Sequence, residues 1–392
     1  MTANRTTATR PARPRRRLRV PAMIVTVLAS LFGLPWWTLA LAGNRWPPAI
    51  VAVVTVAFAA GVFALPLLMV LGHGRRHWDP AARAGDTLLG LIWVMFTWAV
   101  LANLARPVLA LAGVTDPARS RWLAAAVVTV TVGLVVWGLV EALRMPRIRQ
   151  VTVPIRRLGA GLDGTRVVLL ADTHFGPIDR TRWCGRVVDV INALDPDIVC
   201  HAGDLADGDV ARRRTQVAPL GQVRARLARA YVTGNHEYFG QAQQWLDQMA
   251  DLGWQPLHNQ HVIVERDGAR LVLAGVDDAT AAASDQPGHG ADHAAALDGA
   301  DPGLPVLLLA HQPKQVGDAA AYGVDLQLSG HTHGGQIWPF HLLVRLDQPV
   351  LHGLTRHGAG TWLYTTRGAG FWGPPLRVFA PSDITVLTLR AA

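Results

Sequence analysis

The sequence is poor in cysteine and in charge. Cys184 and Cys200 are the two cysteines among 392 residues, too few for the disulfide framework of a small secreted protein, and no CxxC metal knuckle is present. Charged residues make up 17% of the chain and apolar residues 50%, a low charge content for a soluble enzyme. These numbers exclude a fully soluble protein, a disulfide-rich secreted protein and a disordered one.

The two parts of the chain carry opposite charge. Residues 1–150 hold 17 arginines and 4 acidic residues, a net charge of +13, whereas residues 151–392 have a net charge of −4. A nucleic-acid-binding protein usually carries its positive charge on its folded domain, so we predict no nucleic-acid partner. The arginines instead flank hydrophobic runs, as in membrane proteins.

Within residues 1–150, four stretches of 19 or more residues lack Asp, Glu, Lys and Arg altogether: 20–44, 46–74, 87–105 and 122–140. A helix needs roughly 20 apolar residues to cross the hydrocarbon core of a bilayer. The pattern therefore predicts transmembrane helices near 21–42, 49–72, 87–112 and 122–143. Glu141 is the one acidic residue in these spans and lies at the end of the fourth, which favours a membrane anchor over an ion pathway or transporter.

Arginine counting predicts the orientation of these helices. The basic tail, residues 1–20, the second connection and the segment after the fourth helix contain 15 arginines, against 3 in the first and third connections. The positive-inside rule then places both termini, and the domain after the helices, in the cytoplasm. The tail is also suited to contact with membrane lipid. A twin-arginine export signal is the alternative, disfavoured because three more apolar runs follow and no good cleavage site is seen.

A linker with a first strand, 144–163, leads into a region of alternating strands and helices, 164–392. Strands are predicted at 166–171, 197–200, 230–233, 261–266, 270–275, 305–310, 325–329, 361–366 and 383–389, and helices at 180–194, 210–229 and 240–252. The alternation followed by a strand-rich end is typical of an α/β fold, here a layered β-sandwich flanked by helices. The Gly/Ala/Asp-rich stretch 279–303 is predicted to be a mobile loop.

Polar side chains come directly after five of these strands. In α/β folds, ligands bind at the carboxyl ends of the strands. The seven candidate metal ligands are Asp172, His174, Asp204, Asn235, His311, His331 and His333. Carboxylates, imidazoles and an amide without any thiolate suit Mn, Fe or Zn. Seven donors are too many for one tetrahedral ion but suit two divalent metal ions that share a bridging carboxylate.

The order D-x-H, G-D, G-N-H-E, H, G-H-T-H resembles the calcineurin-like metallophosphoesterase superfamily over residues 164–392. The segments GHTHGGQIWP (330–339) and RGAGFWGPPLRV (367–378) resemble its membrane-associated bacterial phosphodiesterase branch. His201 replaces an expected small or hydroxyl residue, and Asp383 replaces a Glu usual in this branch.

The resemblance implies a role for each motif residue. Asp172, His174 and His333 would hold the first metal, Asn235, His311 and His331 the second, and Asp204 would bridge them. His236 would protonate the leaving oxygen or stabilise charge on the phosphate, and Asp207 would orient His236.

We therefore predict a four-helix transmembrane region followed by a metallophosphoesterase domain that hydrolyses a phosphodiester or phosphomonoester through a metal-bridging hydroxide. A lipid-linked ester is a reasonable substrate for an active site held beside a bilayer. The rival interpretation is a metal-dependent module that binds or senses a phosphate ligand, is coupled to the membrane helices and turns over little substrate.

Overall fold

The computed structural model describes residues 15–358 and 360–392, so most of the predicted basic tail, residues 1–14, lies outside the described residues. Four long helices come first in the described chain, as predicted: α1 (Arg15–Trp36), α2 (Pro48–His73), α3 (Asp79–Leu111) and α4 (Ala118–Leu143). A π-helical turn, Trp37–Leu41, continues α1. All four are long and apolar enough to cross a membrane, with the first such span at Ala22–Leu41.

Helix α3 begins eight residues before the predicted residue 87. The acidic Asp79 lies in its first turn and is followed by Pro80. Proline is tolerated at the start of a helix, where its missing N–H has no intrahelical partner to lose, and a negative charge there is favourable. Hydropathy misses these polar first turns, which is why the prediction started late.

The rest of the described chain forms an α/β fold with two mixed sheets, which confirms the predicted fold class. The strands are β1 (Arg147–Ile155), β2 (Arg166–Leu170), β3 (Ile198–Ala202), β4 (Ala228–Val232), β5 (Gln255–Pro256), β6 (Gln260–Arg266), β7 (Ala269–Gly275), β8 (Val306–Leu309), β9 (Leu326–Ser329), β10 (Gly353–His357), β11 (Thr361–Thr365) and β12 (Asp383–Ala391). The helices after α4 are α5 (Thr181–Ala193), α6 (Val210–Val217), α7 (Asn235–Tyr238), α8 (Ala242–Asp251), α9 (His293–Ala296), α10 (Val316–Ala321) and α11 (His341–Val344).

The strand order is β1-β12-β2-β3-β4-β5 in one sheet and β10-β11-β9-β8-β7-β6 in the other. Strands β2 to β5 are parallel, and so are β7, β8, β9 and β11. The predicted strands 261–266 and 270–275 form the β6–β7 hairpin, with its turn at Asp267 and Gly268, both in the left-handed region. Each sheet therefore presents several parallel strands whose carboxyl ends lie along one edge.

Side-chain alternation along the strands places the core between the two sheets. In β2, Val167 and Leu169 pack between the sheets with Leu307 and Leu309 of β8, whereas Val168 and Leu170 point to the opposite face. Helices α5 and α8 cover that outer face of the first sheet, and a smaller cluster covers the second sheet. The layers are helix, sheet, sheet, helix, because each strand has two apolar faces to bury.

The helix predicted over 210–229 is wrong in its second half. Helix α6 ends at Val217, and residues Ala218–Gln222 form a 3₁₀ turn that contains Pro219. A proline ring clashes with the preceding helical turn and removes one hydrogen bond, so the α-helix stops there.

The chain divides into two compact units. Among the described residues, one contains 15–67 and 91–132, where Arg106 donates hydrogen bonds to the Ala42 carbonyl (2.9 Å) and the Ser120 hydroxyl (2.8 Å). The other contains residues 68–90 and 133–392, so the loop between α2 and α3 is part of the same unit as both sheets. Within this second unit, Arg213 of α6 forms two hydrogen bonds with Asp79, at 2.8 and 2.6 Å.

Replacing Leu387 of β12 by alanine tests the core between the sheets, since this side chain is fully buried there. We expect a loss of about 2–5 kcal/mol of stability, which lowers Tm by about 5–15 °C in a domain of this size. The measurement is a thermal melt of the detergent-solubilised chain followed by tryptophan fluorescence. Ile263→Ala on β6, where the side chain is 45% exposed, is the control and should shift Tm far less. Equal shifts would contradict the proposed core.

Candidate metal centre

The loops after five strands bring all seven candidate ligands together at one edge of the two sheets. Asp172 and His174 follow β2, Asp204 follows β3 and Asn235 follows β4, so the first sheet supplies four of them. His311 follows β8, while His331 and His333 follow β9 of the second sheet.

The first group consists of Asp172, His174 and His333. The Nε2 atoms of the two histidines are 3.0 Å apart, and His333 Nε2 is 3.6 Å from Asp172 Oδ1. One donor atom from each residue lies within 4.8 Å of the others, and all three side chains are buried. Donor separations of about 3 Å are expected between ligands of one ion.

The second group consists of Asp204, His311 and His331, with Asn235 among them. Asn235 Oδ1 is 3.2 Å from His311 Nε2 and 2.9 Å from His331 Nδ1. Asp204 Oδ2 is 3.1 Å from His311 Nε2 and 3.6 Å from His174 Nε2. The same carboxylate oxygen of Asp204 thus faces a histidine of each group.

The backbone at these positions is unusual. Five of the seven residues have positive φ angles: Asp172 (54°), His174 (43°), Asp204 (52°), His331 (71°) and His333 (50°). Non-glycine residues rarely adopt this left-handed conformation, and where they do they cluster at functional sites, held by the surrounding structure.

The electrostatics of the cluster fit a bound cation. Asp172 Oδ2 is buried without a hydrogen-bond partner, and burial raises the pKa of this carboxyl to about 6. Burial lowers the pKa of His331 to about 3, which keeps its imidazole neutral as a metal ligand requires. A divalent cation would compensate the buried carboxylate and accept the imidazole lone pairs, so the donor set suits Mn, Fe or Zn.

His236 lies beside the ligands and is tied to the centre through Asp207. Asp207 Oδ1 is 2.7 Å from His236 Nδ1 and 2.9 Å from His174 Nδ1. Burial opposes the charged form of His236, but the Asp204 and Asp207 carboxylates outweigh it and raise the pKa of His236 to about 9. The imidazole is 11% exposed and contacts the ring of Trp372, with ring centroids 5.7 Å apart.

Sequence reasoning assigned no role to Glu237, although it belongs to the GNHE motif. Its buried carboxylate accepts hydrogen bonds from the backbone N–H groups of Asp204 (3.1 Å), Leu205 (2.9 Å) and Gly234 (2.7 Å). Glu237 therefore joins the loop that carries Asp204 to the loop that carries Asn235. The sequence signal that could have revealed this role was an acidic residue, Glu237, directly after the motif histidine and without another basic residue nearby in the sequence.

Arg377 was also missed. It is fully buried and donates hydrogen bonds to the backbone carbonyls of Gly370 (2.7 Å), Ala380 (2.8 Å) and Arg367 (2.8 Å). The Nη1 atom that donates to Ala380 also donates to the His333 carbonyl oxygen, at 3.3 Å. Arg377 thus holds the segment 367–380 against the turn that carries His333.

Of the two departures from the family motif, His201 contacts the loop that carries Asp172 and His174, and Asp383 contacts the segment after β11. His201 is fully buried, its Nε2 lies 3.1 Å from Thr173 Oγ1, and burial lowers the pKa of His201 to about 3. The Asp383 carboxylate pairs with Arg149 at 2.9 Å and accepts hydrogen bonds from Thr366 and from the Arg367 backbone N–H.

Comparison with known proteins identifies the relatives of this chain. A sequence model described as calcineurin-like phosphoesterase matches residues 165–335. A transmembrane protein with metallophosphoesterase domain from Danio rerio is 39% identical over 269 residues, which cover 67% of this chain and 62% of that relative. An uncharacterized metallophosphoesterase of Campylobacter jejuni is 34% identical over 67% of this chain and 68% of its own length. One of Aquifex aeolicus is 30% identical over 62% of this chain and 92% of its own length.

The chain spans less than two thirds of the length of the Danio rerio relative. Relatives named as transmembrane proteins, together with four helices long and apolar enough to cross a bilayer, identify a membrane protein.

Glu237→Gln tests the support of the centre. The amide keeps the shape of the carboxylate but turns an N–H donor toward backbone donors, so the Asp204 loop loses acceptors. We expect divalent-metal affinity to fall by about 10–100-fold, the usual cost of losing a group that orients metal ligands. Equilibrium dialysis with elemental analysis measures it. Glu265→Gln, on an exposed part of β6, is the matched control. Unchanged affinity in Glu237→Gln would refute this role.

Proposed function

Because the chain belongs to the calcineurin-like metallophosphoesterase family, we propose that it is a membrane-anchored phosphoesterase that binds two divalent metal ions and hydrolyses a phosphodiester or phosphomonoester. The observation that carries this proposal is the pair of adjoining ligand groups that share Asp204, whose Oδ2 faces His174 and His311. A single-ion site would need no such shared carboxylate.

In this proposal each group would hold one cation. Asp172, His174 and His333 would hold the first, Asn235, His311 and His331 would hold the second, and Asp204 would be shared by both. Two bound cations would supply the Lewis acidity that activates a water molecule and neutralises the phosphate oxygens. Asp207 orients His174, since its carboxylate accepts from His174 Nδ1 and leaves Nε2 directed at the other ligands.

His236 acts on the leaving oxygen. The Asp207 carboxylate holds its Nδ1, and the raised pKa keeps the ring protonated at neutral pH. A protonated imidazole at the edge of the centre donates its proton to the departing alkoxide, or stabilises negative charge on the phosphate before the ester bond breaks.

The alternative is a module that binds or senses a phosphate ligand with little turnover. It needs the ligands but not a proton donor for a leaving group. The position of His236, held by Asp207 and partly exposed beside the ligands, favours the enzyme.

The substrate and the side of the membrane follow from the anchor. We assign the α/β region to the cytoplasmic face of the cell membrane, because 15 arginines flank the apolar runs on that side and 3 on the other. The expected substrate is a phosphate ester at the membrane surface, either lipid-linked or water-soluble. Membrane lipid is the expected surrounding of the helices, and no nucleic-acid partner is expected.

Bis(4-nitrophenyl) phosphate with Mn²⁺ tests turnover in the purified full-length chain. We expect hydrolysis that EDTA abolishes and that Asp204→Asn lowers by at least about 100-fold, because both cations lose a shared ligand. Elemental analysis should show two ions per chain in the wild type and fewer in the variant. Asp267→Asn is the matched control, since this side chain is 81% exposed in a hairpin turn. Bound metal and bound phosphate without release of nitrophenol would favour the sensing module.

His236→Gln separates a proton donor from a structural residue. We expect kcat to fall by about 10²–10⁴-fold for an alkyl ester, whose leaving group needs a proton, and far less for a nitrophenyl ester, whose leaving group does not. Metal content should be unchanged. His357→Gln, at an exposed position on β10, is the control. Equal losses with both esters would argue against His236 as the acid.

A further inference from the structure

Arg180 is a buried cation in the same compact unit as the metal centre. It immediately precedes α5, and its guanidinium lies 3.6 Å from the centroid of the Trp183 ring and 4.9 Å from that of Phe371. Its Nη1 donates to the Thr173 carbonyl at 3.2 Å, whereas its Nη2 is buried without a hydrogen-bond partner. One donor of this guanidinium is therefore left for a ligand.

Arg180 also has no counter-ion in the part of the chain that the structure describes. The guanidinium of Arg377 repels this charge. Burial and Arg377 lower the pKa of Arg180 to about 9, so the side chain is still cationic at neutral pH. An isolated buried charge is costly, and folded proteins normally pair such a group with an opposite charge.

The side chain lines a pocket that adjoins the metal centre. His174 and Asp207 form one wall, and Arg83 and Asp86 from the first turns of α3 form another. Both carboxylates are already engaged, because Asp207 binds His174 and His236 and Asp86 binds His73 at 2.9 Å. The two arginines are the groups that remain to attract a ligand into the pocket.

We propose that this pocket binds an anionic group of the substrate, a phosphate or a carboxylate other than the ester that is cleaved, through Arg180 and Arg83. The inference rests on the proposed function and names the class of substrate: a phosphate ester with a second negative group. A guanidinium N–H group donates a charge-assisted hydrogen bond to such groups. Since Arg83 belongs to a helix apolar enough to span a bilayer, a lipid headgroup is the favoured source of the anion.

The test is calorimetric titration of the Mn²⁺-loaded full-length chain in phosphatidylcholine nanodiscs. The probes are alkane-α,ω-bisphosphonates with two- to five-carbon spacers and the matching alkylphosphonates, which lack the second anionic group. Neither class of probe can be hydrolysed, because each has a carbon–phosphorus bond in place of the ester bond. We expect the wild type to bind the best bisphosphonate at least about tenfold more tightly than the matching alkylphosphonate. This affinity ratio is the contribution of one charge-assisted contact.

Arg180→Met should bring this affinity ratio close to one. Arg182→Met, two residues away at an exposed position, is the control and should keep the wild-type ratio. If Arg180→Met misfolds, Arg83→Met carries the test, because Arg83 is exposed and its replacement leaves no gap in the core. A wild-type ratio near one, or an unchanged ratio in the folded variant, overturns the proposal.

Nanodiscs with one-third phosphatidylglycerol distinguish the two sources of the anion. If the pocket binds a lipid headgroup, the anionic lipid competes with the bisphosphonate and lowers the affinity ratio of the wild type but not that of Arg180→Met. If the native ligand is water-soluble, the affinity ratios of both proteins stay unchanged. Failure of the proposed function looks different: the chain would not release nitrophenol from the chromogenic diester, whatever the bisphosphonate titrations show.

Discussion

The constraint on which the α/β region depends is the burial of many ionisable donors in one place. The carboxylates of Asp172 and Asp204 and four imidazoles lie within a few hydrogen-bond lengths of one another at the edge of the two sheets. Such a cluster is costly unless cations neutralise it. Divalent metal binding, which membership of the family implies, is therefore part of the stability of these loops as well as of their chemistry.

The ligands themselves do not hold the loops in position. Asp207 spans His174 and His236, and Glu237 ties the Asp204 loop to the Asn235 loop through backbone N–H groups. Arg377 holds the segment beside His333. Glu237 and Arg377 bond to backbone groups and Asp207 bonds to two imidazoles, so together they fix loop geometry that would otherwise relax from its left-handed conformations.

The loop between α2 and α3 and the start of α3 belong to the same compact unit as the metal centre. Asp79 pairs with Arg213 of α6, and Arg83 and Asp86 reach the pocket beside His174. An anchor that only tethered the α/β region would need no such contacts. The start of α3 thus contributes to the surroundings of the proposed active site.

The sequence by itself determined the elements and the identity of the donors. Apolar runs of 19 or more residues require helices in a bilayer, strands with two buried faces require layers on both sides, and polar residues after parallel strands meet at one edge. Only the tertiary structure decided the extent of α6, the distances between the donors around Asp204, and the contacts of Glu237, Arg377 and Arg180. Those depend on distances between loops far apart in the chain, which local pattern and periodicity do not encode.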